Sequence, residues 1–273
     1  PQAPVGWKIS DNQSIHGYNA ETKTIDPNDD NDLDAVGTDS NVVIEKENQK
    51  AVIRYVSTNG NRVLTTDEVT GKSGEAIAYS TTSQITEFKK QGYKLVSDEF
   101  TAGGAKVYDY DTARDQVYTV TLSERVEPVN PDNPTPQPNT PVNPGQPDSP
   151  RWPGTVENLD NKESVSRTIH YVYEDGSKAK DDVVETLNFK RWSNVNLVTG
   201  HIDFQDWTTN DDTFDKVVSP TIAGYTADKS EIPAVSGVKA KDQDRVETVT
   251  YRKDAQKAVI RYVSTNGNRV LTT

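Results

Sequence analysis

The chain has 273 residues, no cysteine and no methionine, and a formal net charge of −12 from 42 acidic and 30 basic residues. That balance argues against binding through phosphate neutralisation on nucleic acid or through an anionic membrane surface, and the missing thiols rule out a disulfide scaffold. Apolar residues make up 32% and mean hydropathy is −0.79, which is low for one large core and suits several small β-domains.

Read from the N-terminus, residues 1–48 match a later part of the same chain. Gly17-Tyr18 falls on Gly224-Tyr225, Ala20 on Ala227, Ile25 on Ile232 and Val42 on Val249, all at an offset of 207 residues. Residues 1–48 are therefore expected to be the C-terminal part of a preceding domain of the type found at 154–255. The offset becomes verbatim at Gln49–Thr66, whose eighteen letters QKAVIRYVSTNGNRVLTT recur as Gln256–Thr273. Such identity predicts a window from a tandem array, slightly longer than one repeat. The lack of a starting methionine agrees with an internal window. No signal peptide, membrane span or lipidation motif stands out.

The domain at 49–126 opens with a predicted hairpin, Val52–Ser57 and Asn61–Leu64, turning at Asn59-Gly60. Asn-Gly supplies the two positive φ angles of a type I′ turn. Thr81 with Gln84 three residues later fits a capping box. Ile85 and Phe88 share one face of a helix over 82–91, Lys89 and Lys90 sit in its last turn, and Gly92 follows as its C-cap. Strands are expected at Tyr93–Ser97, Lys106–Tyr108 and Val117–Leu122. Hairpin, helix and further strands make a β-grasp pattern.

Residues 127–153 read as a linker. Ten of the fifteen prolines lie between Pro128 and Pro153, which favours extended polyproline II and denies donors to a sheet. The second domain, 154–255, opens like the first: Ile169-His170-Tyr171-Val172 lies 116 residues after Ile53-Arg54-Tyr55-Val56, and Asp175-Gly176 replaces Asn59-Gly60. Its strands are expected at Thr168–Tyr173, Val183–Phe189 and Val246–Tyr251, with long polar loops and no strong helix signal. Residues 256–273 are the opening hairpin of a next domain. The fold class is mainly β with one short helix (α+β), as tandem β-grasp-like domains in an elongated rod.

Few side chains suggest chemistry. His16, His170 and His201 have no metal-ligand spacing partners, and no nucleophile elbow, phosphate loop or zinc motif occurs. Asp109, Asp111 and Asp115 make a D-x-D-x-x-x-D run that offers oxygens to calcium, and Asp26, Asp29, Asp30, Asp32 and Asp34 crowd a second loop. Neither has the glycine and terminal glutamate of an EF-hand, and solvated turns are the competing reading. Trp192, Trp207 and Trp152 lie outside the clearest strands. Each suits either stacking on a sugar ring or packing in a thin core.

The stretch Val69–Phe100 (VTGKSGEAIAYSTTSQITEFKKQGYKLVSDEF), followed by Val107–Arg125, resembles the mucin-binding (MucBP-type) domain. Ser166–Ala179, Phe189–Gly200 and Ser219–Asp228 resemble its companion domain. Together they resemble one repeat of the Mub family, the mucus adhesins of lactobacilli. The resemblance implies a non-enzymatic adhesin that binds mucin glycans, with weak sites multiplied by repetition. It also implies a parent anchored to the bacterial cell wall and exposed outside the cell, and some members bind immunoglobulins. No catalytic residues carry over, and no nucleic-acid or membrane partner is implied. A stalk that only presents a distal head fits the same sequence. A glycosidase would need two positioned carboxylates in a cleft.

Overall fold

A computed structural model describes residues 2–15, 17–26, 41–266 and 270–272. His16 and Asp29, Asp30, Asp32 and Asp34 lie outside the described residues. The chain divides into two compact units. Unit 1 holds residues 1–128, 135–158 and 194–202; unit 2 holds 129–134, 159–193 and 203–273.

Unit 1 is built on a four-stranded sheet. Its strands are β1 (Asn48–Ser57), β2 (Arg62–Lys72), β3 (Tyr93–Asp98) and β4 (Gln116–Glu124), in the order β2-β1-β4-β3. β1 runs parallel to β4, with Ile53 opposite Tyr118, and antiparallel to β2. The one α-helix among the described residues, α1 (Thr82–Lys90), crosses from β2 to β3. Alternation along β1 puts Ala51, Ile53 and Tyr55 on one face, all fully buried, while Arg54 is exposed. Ile85 and Phe88 of α1 join that core. The Phe88 ring lies 5.6 Å from both Tyr55 and Tyr93. Each such side chain adds roughly 1.5–3 kcal/mol by leaving water, so the face of α1, not its length, holds this short helix.

Three local expectations need correction. The turn after β1 is a four-residue loop closed by the Ser57–Arg62 pair, and its positive φ angles fall on Gly60 (68°) and Asn61 (51°). Asn59 is not one of them, because one extra residue, Leu64, is bulged out of β2 and moves the register. Thr81 precedes α1 but makes no cap bond; its hydroxyl donates instead to Asp98 Oδ2 at 2.6 Å. The expected strand at Lys106–Tyr108 shrinks to a single bridge, Val107 with Ala76.

The proline-rich stretch is not a run without backbone pairing. Asn139 N–H donates to the Trp152 carbonyl and Trp152 N–H to that of Thr140, both at 2.9 Å, and Val142 N–H donates to Pro150. Proline removes its own donor only. The residues between the prolines keep theirs, and they close the loop on itself.

Unit 2 repeats the topology. β5 (Lys162–Tyr173), β6 (Lys178–Lys190), β7 (Tyr225–Ala227) and β8 (Arg245–Lys253) lie in the order β6-β5-β8-β7. β5 and β8 are the parallel pair, Ile169 opposite Glu247. Both sheets therefore centre on a parallel pair flanked by antiparallel strands, which is the β-grasp arrangement that the shared hairpin openings anticipated. No α-helix covers the second sheet among the described residues. Phe214, Ile232, Val238 and Ala240, from the connection between β6 and β8, fill that role.

The verbatim repeat shows what burial depends on. Val52, Ile53 and Tyr55 are 6%, 0% and 0% exposed, whereas Val259, Ile260 and Tyr262, the same letters 207 residues on, are 58%, 67% and 60% exposed. Among the described residues the second copy pairs as a short hairpin, Tyr262–Val263 with Val270–Thr272. Burial of β1 comes from α1, β3 and β4, which follow it in sequence.

The aromatic core of unit 1 also sets an alkaline limit. Burial pushes the hydroxyls of Tyr79, Tyr55, Tyr118 and Tyr108 above the ordinary tyrosine range. Tyr79 moves furthest, reinforced by its bonds to Asp67 and Tyr55. In the unfolded chain these groups ionise at about pH 10. A group raised in the folded state contributes its stability below that value and loses it as pH rises. Unit 1 should therefore be insensitive to pH just above neutrality and weaken steeply above about pH 10. Urea midpoints taken across that range check it, and a flat profile would mean that the tyrosines ionise in place.

Candidate functional site

An open groove of about 410 Å³ lies at the edge of the unit 2 sheet. It is lined by Asp132, Lys162, Glu163, residues 186–190 of β6 and residues 209–211. β6 is the edge strand, and the segment after Trp207 lies along it. Lys190 and Thr208 exchange backbone hydrogen bonds at 2.8 and 2.9 Å, and Thr209 Oγ1 lies 2.8 Å from the Asn188 carbonyl oxygen. These bonds cover part of an otherwise open edge and leave a trough beside it.

Strand alternation decides what faces the trough. Leu187 and Phe189 turn into the core, and Thr186, Asn188 and Lys190 turn the other way. Lys190 Nζ donates to both carboxylate oxygens of Asp132, at 3.0 and 2.9 Å. Glu163 is paired with Lys241. The side-chain amides of Asn188 and Asn210 and the ammonium of Lys162 have no hydrogen-bond partner among the described residues. The site thus offers neutral donors and acceptors, with the charges of Lys190, Asp132 and Glu163 paired. That composition suits a ligand rich in hydroxyl or acetamido groups.

The three tryptophans have different settings. Trp192, next to the groove strand, is 43% exposed, and its carbonyl accepts from Gln205 N–H at 2.9 Å. Trp207 packs against the core cluster of Phe189 and Phe214. Its ring carries the Arg191 guanidinium at 4.3 Å and the Lys241 ammonium at 5.5 Å, which leaves less of it to stack on a ligand. Trp152 belongs to unit 1 and is half-buried on the closed proline loop.

The aspartates of the D-x-D-x-x-x-D run turn to local partners. Asp109 Oδ1 accepts from Asp111 N–H, and Asp111 Oδ1 from Ala113 N–H, at 3.0 and 2.9 Å. Asp115 pairs with Lys50 at 2.9 Å. Among the described residues no three carboxylate, imidazole or thiol groups converge as a metal site. Side chain–backbone turns of this kind are the ordinary use of Asp in loops.

Sequence reasoning misses Arg167. It stands in the core-facing row Val165-Arg167-Ile169-Tyr171 of β5 and is 1% exposed. Its Nε donates to Glu185 Oε2 at 2.8 Å, its Nη1 to the Pro233 carbonyl at 3.0 Å, and its Nη2 to the Asp215 carbonyl. The Phe214 ring lies 5.2 Å from the guanidinium. One Arg thus fastens the helix-free cover to the sheet. The signal is a lone charge in an alternating apolar row.

Comparison with known proteins places these features. The Mucin binding domain family matches residues 49–124, and the Muc B2-like domain family matches residues 156–255. The crystal structure of Mub-RV superposes with a TM-score of 0.59 at 26% identity, covering 76% of this chain and 100% of that one. The type 2 repeat of the mucus binding protein MUB from Lactobacillus reuteri is 28% identical over 76% of this chain and 100% of its own, with a TM-score of 0.49. The MucBP domain of an adhesion protein from Pediococcus pentosaceus is 35% identical over 34% of this chain and 99% of its own, with a TM-score of 0.31. No curated protein matched. No helix among the described residues is long and apolar enough to cross a membrane.

Proposed function

Because this chain belongs to the mucus-binding repeat family of cell-surface adhesins, we propose that it is a non-enzymatic adhesin module that binds mucin glycans in the groove beside Asn188. The observation that carries the assignment to this groove is its set of unpartnered amides, Asn188 and Asn210, beside charges of which Lys190, Asp132 and Glu163 are already paired. Mucin glycans are acidic and the chain carries −12, so long-range attraction does not drive the encounter. Short-range hydrogen bonds and ring stacking supply the affinity, and each site is weak. Tandem copies raise the effective concentration and turn weak sites into firm adhesion. Trp192, on the segment that leaves β6, adds a stacking surface.

The test is titration of released mucin oligosaccharides into the folded chain. Asn188→Ala removes a donor and an acceptor and should weaken binding about tenfold, as loss of roughly 1.4 kcal/mol does. Binding by the parent chain that is indifferent to Asn188→Ala moves the site elsewhere. No binding at all favours a stalk module that presents a distal head.

A further inference from the structure

Asn59 and Gly60 stand exposed in the loop between β1 and β2. Gly60 has a φ of 68°, and a Cβ there would meet nothing within 4 Å. Its backbone N–H has no acceptor among the described residues. That nitrogen is the group that attacks the Asn59 side chain in deamidation, and it is both unhindered and unpaired. One contact opposes the reaction. Asn59 Nδ2 donates to Glu124 Oε1 at 3.1 Å, and the other oxygen of Glu124 accepts from Asn196 Nδ2 at 2.7 Å. The bond to Glu124 holds the amide in one rotamer and keeps its nitrogen from leaving.

We propose that Asn59 is a site of spontaneous deamidation and that Glu124 is the brake on it. Gly60 N gives its proton to solvent base and bonds to Asn59 Cγ. The Cγ–Nδ2 bond breaks, and Nδ2 takes up a proton and departs as ammonia. A five-membered succinimide remains. One water opens it at either carbonyl, giving aspartate or isoaspartate. No oxidant or reductant takes part. The new carboxylate then faces Glu124, and two like charges replace a hydrogen bond. Glu124 also holds Asn196, so the change loosens residues 194–202 from β4.

The chain contains its own control. Thr265-Asn266-Gly267-Asn268-Arg269 repeats Thr58-Asn59-Gly60-Asn61-Arg62 letter for letter. Gly267 lies outside the described residues. Asn266 is exposed, and its side chain has no carboxylate partner among those described. The whole folded chain would be aged in mildly alkaline buffer, cut at lysine only, and each copy followed by mass and by isoaspartate content. Cutting at arginine would fail, since Tyr55–Arg62 and Tyr262–Arg269 are the same peptide. Asn266 should convert about tenfold faster than Asn59, the factor expected from one charge-assisted hydrogen bond. Glu124→Ala should bring Asn59 up to the Asn266 rate. Should that variant unfold, the parent chain in urea serves instead, and there the two rates should merge. Equal rates in the folded parent would overturn the proposal. So would an Asn59 that stays slow in a folded Glu124→Ala chain, because the turn itself would then be the brake.

Discussion

Arg167→Ala should destabilise unit 2 by about 3–5 kcal/mol, the range for removing one partner of a buried ion pair. For a unit of this size that lowers the melting temperature by about 10 °C or more. The loss has two parts. Glu185 keeps its charge but loses the two donors, Nε and Nη2, that converge on its Oε2, although its side chain is 26% exposed and retains some water. The carbonyls of Pro233 and Asp215 lose their donors inside the cover. Arg167→Met with Glu185→Gln separates these parts. It removes the stranded charge and restores volume, so it should recover some of the loss; the two carbonyls stay unpaired, so recovery stays incomplete. Hydrogen exchange at Ile169 reports unit 2 directly. A cost below about 1 kcal/mol for Arg167→Ala would mean that water replaces the guanidinium with little loss.

Gly92→Ala should be nearly as damaging to unit 1. Gly92 has a φ of 96°, and its added Cβ would lie 2.9 Å from both the carbonyl carbon and the Cβ of Leu197. Backbone strain and overpacking together should cost about 2–4 kcal/mol. Gly60→Ala is the comparison. Gly60 also has positive φ but open space around it, so its cost should be the conformational part alone, about 1–2 kcal/mol. Denaturant melts followed by exchange at Ile53 would give both values. Equal costs would mean that residues 194–202 simply move aside.

The first sheet, α1 and three strands of the second sheet are legible because their signals are local, whereas the short β7 (Tyr225–Ala227) lies in a stretch that reads as loop. Alternation along Val52–Ser57, the spacing of Ile85 and Phe88, and Gly92 after the last helical turn each act within a few residues. What fails depends on distant partners. Thr81 looks like a cap, but Asp98, seventeen residues on, takes its hydroxyl. Asn59-Gly60 looks like a two-residue turn, and the bulge at Leu64 displaces it. The groove cannot be read at all. Asn188 is one polar residue among many until Thr208 and Thr209 are laid beside it by bonds across about twenty positions. Arg167 is charged and so reads as surface, although the alternation of β5 puts it in the core row.

Residues 194–202 fall inside the stretch matched by the Muc B2-like domain, yet they fold with unit 1. Leu197 N–H donates to the Arg125 carbonyl at 2.9 Å, Asn196 ties to Glu124, and Val198 packs on the core that Ile53 and Phe88 build. The segment that heredity copies and the segment that folding completes are therefore cut at different points. An insertion or exchange made at the domain border near residue 125 would carry off part of the neighbour's wall. Duplication of this protein is safest when it moves both domains together, and the 207-residue spacing of its verbatim repeat is the length of such a double step.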